Sequence, residues 1–155
     1  LPVTASERLL EIVNPQPDML LHLEGQVRSY NKMVDGVGRL LITAFAQRLC
    51  APETDENPNV VQLSGALCKP PVLRTTPLGR EICDLLLAVE RRYGRSDYLP
   101  CIAWGPVARR CAALDVGAPL RFEGRLQSRV YTKRLGETAE ERTAFEISVM
   151  QLLDP

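Results

Sequence analysis

The chain repeats itself, and the repeat constrains its architecture more than any single motif. Residues 1–50 begin Leu1-Pro2-Val3-Thr4-Ala5, pass through a helical stretch and reach Leu21-His22-Leu23-Glu24-Gly25-Gln26-Val27-Arg28-Ser29. Residues 99–153 begin Leu99-Pro100-Cys101-Ile102-Ala103, pass through a helical stretch and reach Leu120-Arg121-Phe122-Glu123-Gly124-Arg125-Leu126-Gln127-Ser128. Each copy then turns at glycine (Gly36 and Gly38; Gly136) and ends in an apolar strand, residues 40–46 or 145–153. Residues 59–98 precede the second copy and have no counterpart before Leu1. The expected organisation is a partial module over 1–50, a linker over 51–58 with two prolines and three acids, and a complete module over 59–155.

Composition narrows the class. With 45% hydrophobic and 25% charged residues in 155, the chain has the make-up of a globular protein with a packed core. No apolar run approaches the roughly 20 residues that span a bilayer, so no membrane association is expected. Five cysteines, with no Cys-x-x-Cys pair and His22 as the only histidine, argue for a reducing cytoplasm, buried inert thiols and no structural zinc. The charge is uneven. Residues 1–58 carry five Lys/Arg against eight Asp/Glu, a net −3, and residues 59–155 carry fourteen against eleven, a net +3.

The complete module reads as strand, strand, strand, helix, strand, strand. Residues 59–67 alternate with Val61, Leu63, Gly65 and Leu67 on one side. Lys69-Pro70-Pro71 breaks that strand, and Thr76-Pro77-Leu78-Gly79 signals a turn. Residues 81–89 are apolar enough for a buried strand, residues 91–97 form a basic loop, and residues 98–104 form the third strand. Gly105-Pro106 opens a short helix that Gly117 is expected to end, with Arg109 and Arg110 on its solvated face. Residues 120–131 place Leu120, Phe122, Gly124 and Leu126 on one side. Arg121, Glu123, Arg125, Gln127, Arg129 and Tyr131 fall on the other. Residues 143–153 form the last strand. Five strands with one helix between the third and fourth is the order of the OB-fold, a Greek-key barrel. The expected class is therefore all-β with one short helix per module, as one complete OB-fold copy plus the C-terminal half of a second.

The complete module resembles the DNA-binding domain of the bacterial single-stranded DNA-binding protein family, including its primosomal relatives. The resemblance runs through Asn59-x-Val61-x-Leu63-x-Gly65 with Pro71, and through Thr76-Pro77-Leu78-Gly79. It continues through Trp104-Gly105-Pro106-Val107-Ala108 and Phe122-Glu123-Gly124-Arg125-Leu126-Gln127-Ser128-Arg129. The partial copy resembles the same domain from its third strand onward, so the pair resembles the tandem-domain members, which act as homodimers presenting four barrels. The resemblance implies sequence-tolerant binding of single-stranded DNA in replication, recombination or repair, with no cofactor. Its stacking positions fall on Tyr93, Tyr98, Trp104 and Tyr131.

The residues support that chemistry on their own terms. Single-strand binding needs aromatic faces for bases and cations for phosphates along one groove. Tyr98 and Trp104 are six apart in a strand and share a face, and Tyr131 shares the polar face of its strand with Arg121, Arg125 and Arg129. Arg91, Arg92 and Arg95 add charge in the loop around Tyr93. Trp104 could instead cap the core, and Glu123 could form an ordinary cross-strand pair. In the partial copy Tyr30 and Arg28 are the candidates, and Ser6 or a neighbour falls where Trp104 would be.

An enzyme is not expected, because no paired carboxylates, phosphate-binding glycine loop or nucleophile matched to His22 is present. RNA remains an alternative ligand, since stacking faces do not distinguish the sugars. The other alternative is an accessory or oligomerisation scaffold with weak or no nucleic-acid binding. The acidic, aromatic tip by which family members recruit partners is not among these residues. A half-barrel would expose a strand edge and an apolar face. The expectation is therefore that two further strands precede Leu1, or that a second chain donates them.

Overall fold

A computed structural model describes residues 1–34 and 36–154, Val34 by its backbone only. The chain divides into two compact units, Leu1–Pro58 and Asn59–Pro155.

The second unit is a closed barrel. Strands β4 (Val61–Leu67), β5 (Val72–Thr75), β6 (Glu81–Glu90) and β7 (Ser96–Trp104) precede helix α2 (Gly105–Ala112). Strands β8 (Pro119–Leu135) and β9 (Thr138–Leu153) follow it. The sheet order is β4-β8-β9-β7-β6-β5, and β4 closes the barrel by also pairing with β6 through Ala66–Ala88 and Leu67–Leu87. Closure needs Gly65, because a Cβ there would lie 2.3 Å from the Ala88 carbonyl oxygen. Alternation turns Leu87, Leu99, Cys101, Phe122 and Ile147 inward, all buried, and Ala108 and Cys111 of α2 are buried with them. Burying Phe122 alone contributes on the order of 1.5–3 kcal/mol.

The first unit has strands β1 (Val3–Thr4), β2 (His22–Val34) and β3 (Val37–Cys50), with helix α1 (Glu7–Val13) between β1 and β2. Their order is β1-β3-β2. Ser6 caps α1, its hydroxyl accepting from the Leu9 N–H at 3.2 Å, and Asn14 ends it in the left-handed region. No residue of α1 is buried.

Several sequence expectations change. Strand β5 was not anticipated; it is four residues long, fully exposed and follows Pro70-Pro71, so it carries no burial pattern to detect. The hairpins are longer than expected. β8 and β9 run on to a two-residue turn, with Leu135 opposite Thr138 and Gly136 at φ 66°. β3 spans Val37–Cys50 rather than 40–46. The counterpart of the third strand in the first copy shrinks to Val3–Thr4. Gly117 does not end the helix. The helix closes at Ala112, and Gly117, at φ 89°, donates its N–H to the Leu67 carbonyl at 2.7 Å. Of the cysteines, Cys83, Cys101 and Cys111 are buried, Cys50 is intermediate and Cys68 is exposed. Burial pushes the Cys111 thiol up to about 11 and raises Cys101 and Cys83 as well.

Candidate nucleic-acid interface

Residues paired across neighbouring strands share a face, so strand register assembles the site. One row crosses the second unit from Arg125 (β8) to Ser148 (β9), Ile102 (β7), Asp84 (β6) and Val72 (β5). On the same side, Trp104 pairs with Ile82 and Tyr98 with Ala88. Gln127 pairs with Glu146, Arg129 with Ala144 and Tyr131 with Arg142, also on that side. It is the face opposite Leu87, Leu99, Cys101 and Ile147, although Ile82, Ile102 and Ser148 in its middle are themselves buried. Tyr98, Trp104, Arg125, Arg129 and Tyr131 therefore lie on one outer surface, with β9 between the two strands that carry them.

Each position has its own surroundings. Tyr98, Arg125 and Arg129 are exposed, and Trp104 and Tyr131 are half-buried. The Arg129 guanidinium carbon lies 6.0 Å from the Tyr131 ring centroid, and its Nε lies 3.5 Å from the buried Glu146 carboxylate. Glu146 also accepts from Gln127 Nε2 at 3.0 Å. Glu123 accepts from Gln62 at 3.3 Å. Arg121 sits apart from the others, past a bulge between Glu123 and Gly124. There it lines a cavity of about 210 Å³ with Arg110, Leu114 and Leu152.

The basic loop is built around a 3₁₀ turn, Arg92–Gly94. Tyr93 is 99% exposed and held at φ 70°, a conformation that costs a non-glycine residue about 1–3 kcal/mol. Arg92 and Arg95 are exposed beside it. Arg91 departs from the expectation of a phosphate-facing arginine. Its Nε donates to Asp97 Oδ2 at 2.6 Å and Nη2 donates to Oδ1, while its backbone N–H donates to the Arg95 carbonyl at 2.6 Å. Asp97 is only 2% exposed. Arg91 thus clamps the base of the loop that displays Tyr93, and the pairing raises its pKa.

Sequence reasoning missed three arginine contacts, two on this surface and one at the junction of α2 with β6. Arg80 places its guanidinium carbon 4.9 Å from the Trp104 ring centroid. Arg74 is paired bidentately with Asp84, at 2.6 and 3.3 Å. Arg109, expected only to be solvated, grips Glu81 and holds that carboxyl below the usual range. The one available signal was parity, since Arg80 stands two residues before Ile82, the partner of Trp104.

In the first unit, the Arg28 guanidinium carbon lies 3.9 Å from the Phe45 ring centroid and Nη2 donates to Gln26 at 3.1 Å. Tyr30 is exposed two residues further along β2. Among the described residues no group of three or more His, Cys, Asp or Glu is placed to hold a metal ion, and no helix is long and apolar enough to cross a membrane.

Comparison with known proteins decides the family. The model of the single-strand binding protein family matches residues 58–153. This chain belongs to the single-strand binding protein family. That family consists of non-enzymatic DNA-binding proteins. The chain is 33% identical over 104 residues to single-stranded DNA-binding protein A of Bacillus subtilis, covering 63% of this chain and 60% of that protein. It is 33% identical over 104 residues to single-stranded DNA-binding protein 2 of Listeria innocua, covering 63% of this chain and 65% of that one. It thus spans less than two thirds of the length of these relatives. The crystal structure of the wild-type single-stranded DNA binding protein from Thermus aquaticus matches with a TM-score of 0.73 at 25% identity, covering 99% of this chain and 68% of that one. A deletion mutant of the same protein matches with a TM-score of 0.77 at 24% identity, covering 99% and 69%. The SSB-like OB fold therefore extends over the whole chain, including the first unit.

Proposed function

We propose that this chain binds single-stranded DNA with little sequence preference, in the cytoplasm, in replication, recombination or repair. The observation that carries the reading is the outer face of the barrel, where Tyr98 and Trp104 on β7 face the same way as Arg125, Arg129 and Tyr131 on β8. Bases stack on the aromatic rings, arginines follow the phosphates, and Tyr93, Arg92 and Arg95 extend the track from the loop. Arg91 serves by holding that loop rather than by touching phosphate. Arg121 lies furthest from the aromatic residues along β8 and contributes at the end of the track.

The first unit is the second half of another barrel in this reading, completed by strands outside these residues, and the whole works as a homodimer of the tandem-domain type. What supports it is the identical pairing of the two copies: Val3 lies opposite Ala44 as Cys101 lies opposite Ile147. One observation favours the accessory-scaffold reading. Asp84 and Glu146 sit on the proposed face and engage Arg74 and Arg129 internally. Titration with a thymine oligomer separates the two, because Trp104 is the only tryptophan. A saturable change in its emission, with a complex seen by gel shift, supports binding; no complex at low salt leaves the scaffold.

A further inference from the structure

We propose that Arg80 is a phosphate-contacting residue of this interface, presented to the nucleic acid by the Trp104 ring; the proposal rests on the single-strand-binding reading. Arg80 ends the turn between β5 and β6, and the turn fixes where it points. Thr76 N–H donates to the Arg80 carbonyl at 2.7 Å, the Arg80 N–H donates to the Thr76 hydroxyl at 3.1 Å, and Gly79 N–H donates to the Thr76 carbonyl at 2.8 Å. Gly79 takes φ 84°, which only glycine adopts freely. The backbone is thus tied on both sides before the side chain begins.

The local electrostatics leave the Arg80 charge for an outside ligand. The two nearest acids in sequence already have partners, Glu81 with Arg109 and Asp84 with Arg74. Among the described residues Arg80 has no carboxylate partner, and it is exposed. A guanidinium lying over an indole uses its flat face for the ring and keeps its N–H donors at the edge. Those edge donors match the oxygens of a phosphate, and the ring holds the guanidinium where a strand crossing this face would meet it.

The test uses the full chain, wild type and the variants Arg80→Gln and Arg80→Lys, with a thymine oligomer titrated across a salt series. Arg80→Gln is expected to make the slope of log K against log salt shallower by about 0.7, the loss of one single-strand phosphate contact. It should also shift the Trp104 emission of the free protein. Arg80→Lys keeps the charge and is expected to keep the wild-type slope. An Arg80→Gln protein with wild-type slope and affinity overturns the assignment while leaving single-strand binding intact. A wild-type chain that binds no oligomer overturns both.

Discussion

The two units share their pairing but not their burial. In each, the strand before the helix runs parallel to the last one in the same register, and each long hairpin carries a bulge at its Glu-Gly step, Glu24/Gly25 or Glu123/Gly124. Both glycines are required by close approach: an added Cβ would lie 1.9 Å from the Phe45 carbonyl oxygen or 2.0 Å from that of Ser148. Yet Leu1 is 38% exposed where Leu99 is fully buried, and Val3 is 50% exposed where Cys101 is 3%. Leu10 is exposed where Ala108 is buried. The second unit has β4 and β6 to cover these positions, whereas the described residues of the first unit form only three strands. Register is written locally, in the hairpin and its glycine; burial needs strands from elsewhere in the barrel.

The largest effect expected from this contrast is on stability. Leu99→Ala should cost about 2–5 kcal/mol, the usual range for emptying a core leucine position. With these residues alone, Leu1→Ala should stay within about 0.5 kcal/mol, as for an exposed site, and strands that complete the first barrel should raise it toward the Leu99 value. Hydrogen exchange resolved by segment reads both changes in the intact chain, without assuming that the two units unfold together. An equal loss at Leu1 would mean that the apolar face of the first unit is covered in solution, and the difference between the units would vanish.

The repeat was legible because Leu-x-x-Glu-Gly recurs, Leu21 to Gly25 and Leu120 to Gly124, and marks a bulge that only glycine permits. The strand order was legible because alternation around Phe122 and the turn residues are local signals. What escaped notice was set by contacts between segments. β5 is short and exposed, and the outer part of the β8–β9 hairpin, from Thr132 to Arg142, has only Leu135 and Ala139 as apolar residues, too few to show an alternation. Arg91 looked like a free cation because its partner, Asp97, reads in sequence as a loop acid, although the strand turns it inward beside Leu99. Arg80 was invisible as a neighbour of Trp104 until the register of β6 against β7 was known. The aromatic positions themselves came from the resemblance and from strand parity, and the register does place Tyr98, Trp104 and Tyr131 on one side.

A smaller effect concerns binding and asks whether the asymmetry extends to function. Tyr98→Ala and Trp104→Ala should each weaken oligomer binding by about 1–3 kcal/mol if their rings stack on bases. Tyr30→Ala tests the exposed aromatic of the first unit, which lies on β2, the counterpart of β8. Fluorescence anisotropy of a labelled thymine oligomer measures the Tyr98 and Tyr30 variants directly and does not depend on Trp104. Loss at Tyr98 alone confines binding to the second unit; comparable loss at Tyr30 makes the first unit a binding surface despite its open face.

The smallest effect is in the salt dependence, and it separates arginines that are already engaged from those that are not. With three or four phosphate contacts the slope of log K against log salt should be roughly −2 to −3. Arg125 is exposed and has no carboxylate partner among the described residues, so Arg125→Gln should make the slope shallower by about 0.7. Arg129 is different. Its Nε lies 3.5 Å from the buried Glu146, so part of its charge is answered within the protein before any phosphate arrives. Arg129→Gln should therefore change the slope less than Arg125→Gln does, and Glu146→Gln should strengthen binding by releasing Arg129 to the phosphate. Arg28, stacked on Phe45 in the first unit, supplies the control across units. If Arg28→Gln moves the slope as far as Arg125→Gln, the open half carries phosphate as well as the closed one. If Arg125→Gln leaves the slope unchanged, the arginine row of β8 is not the phosphate track.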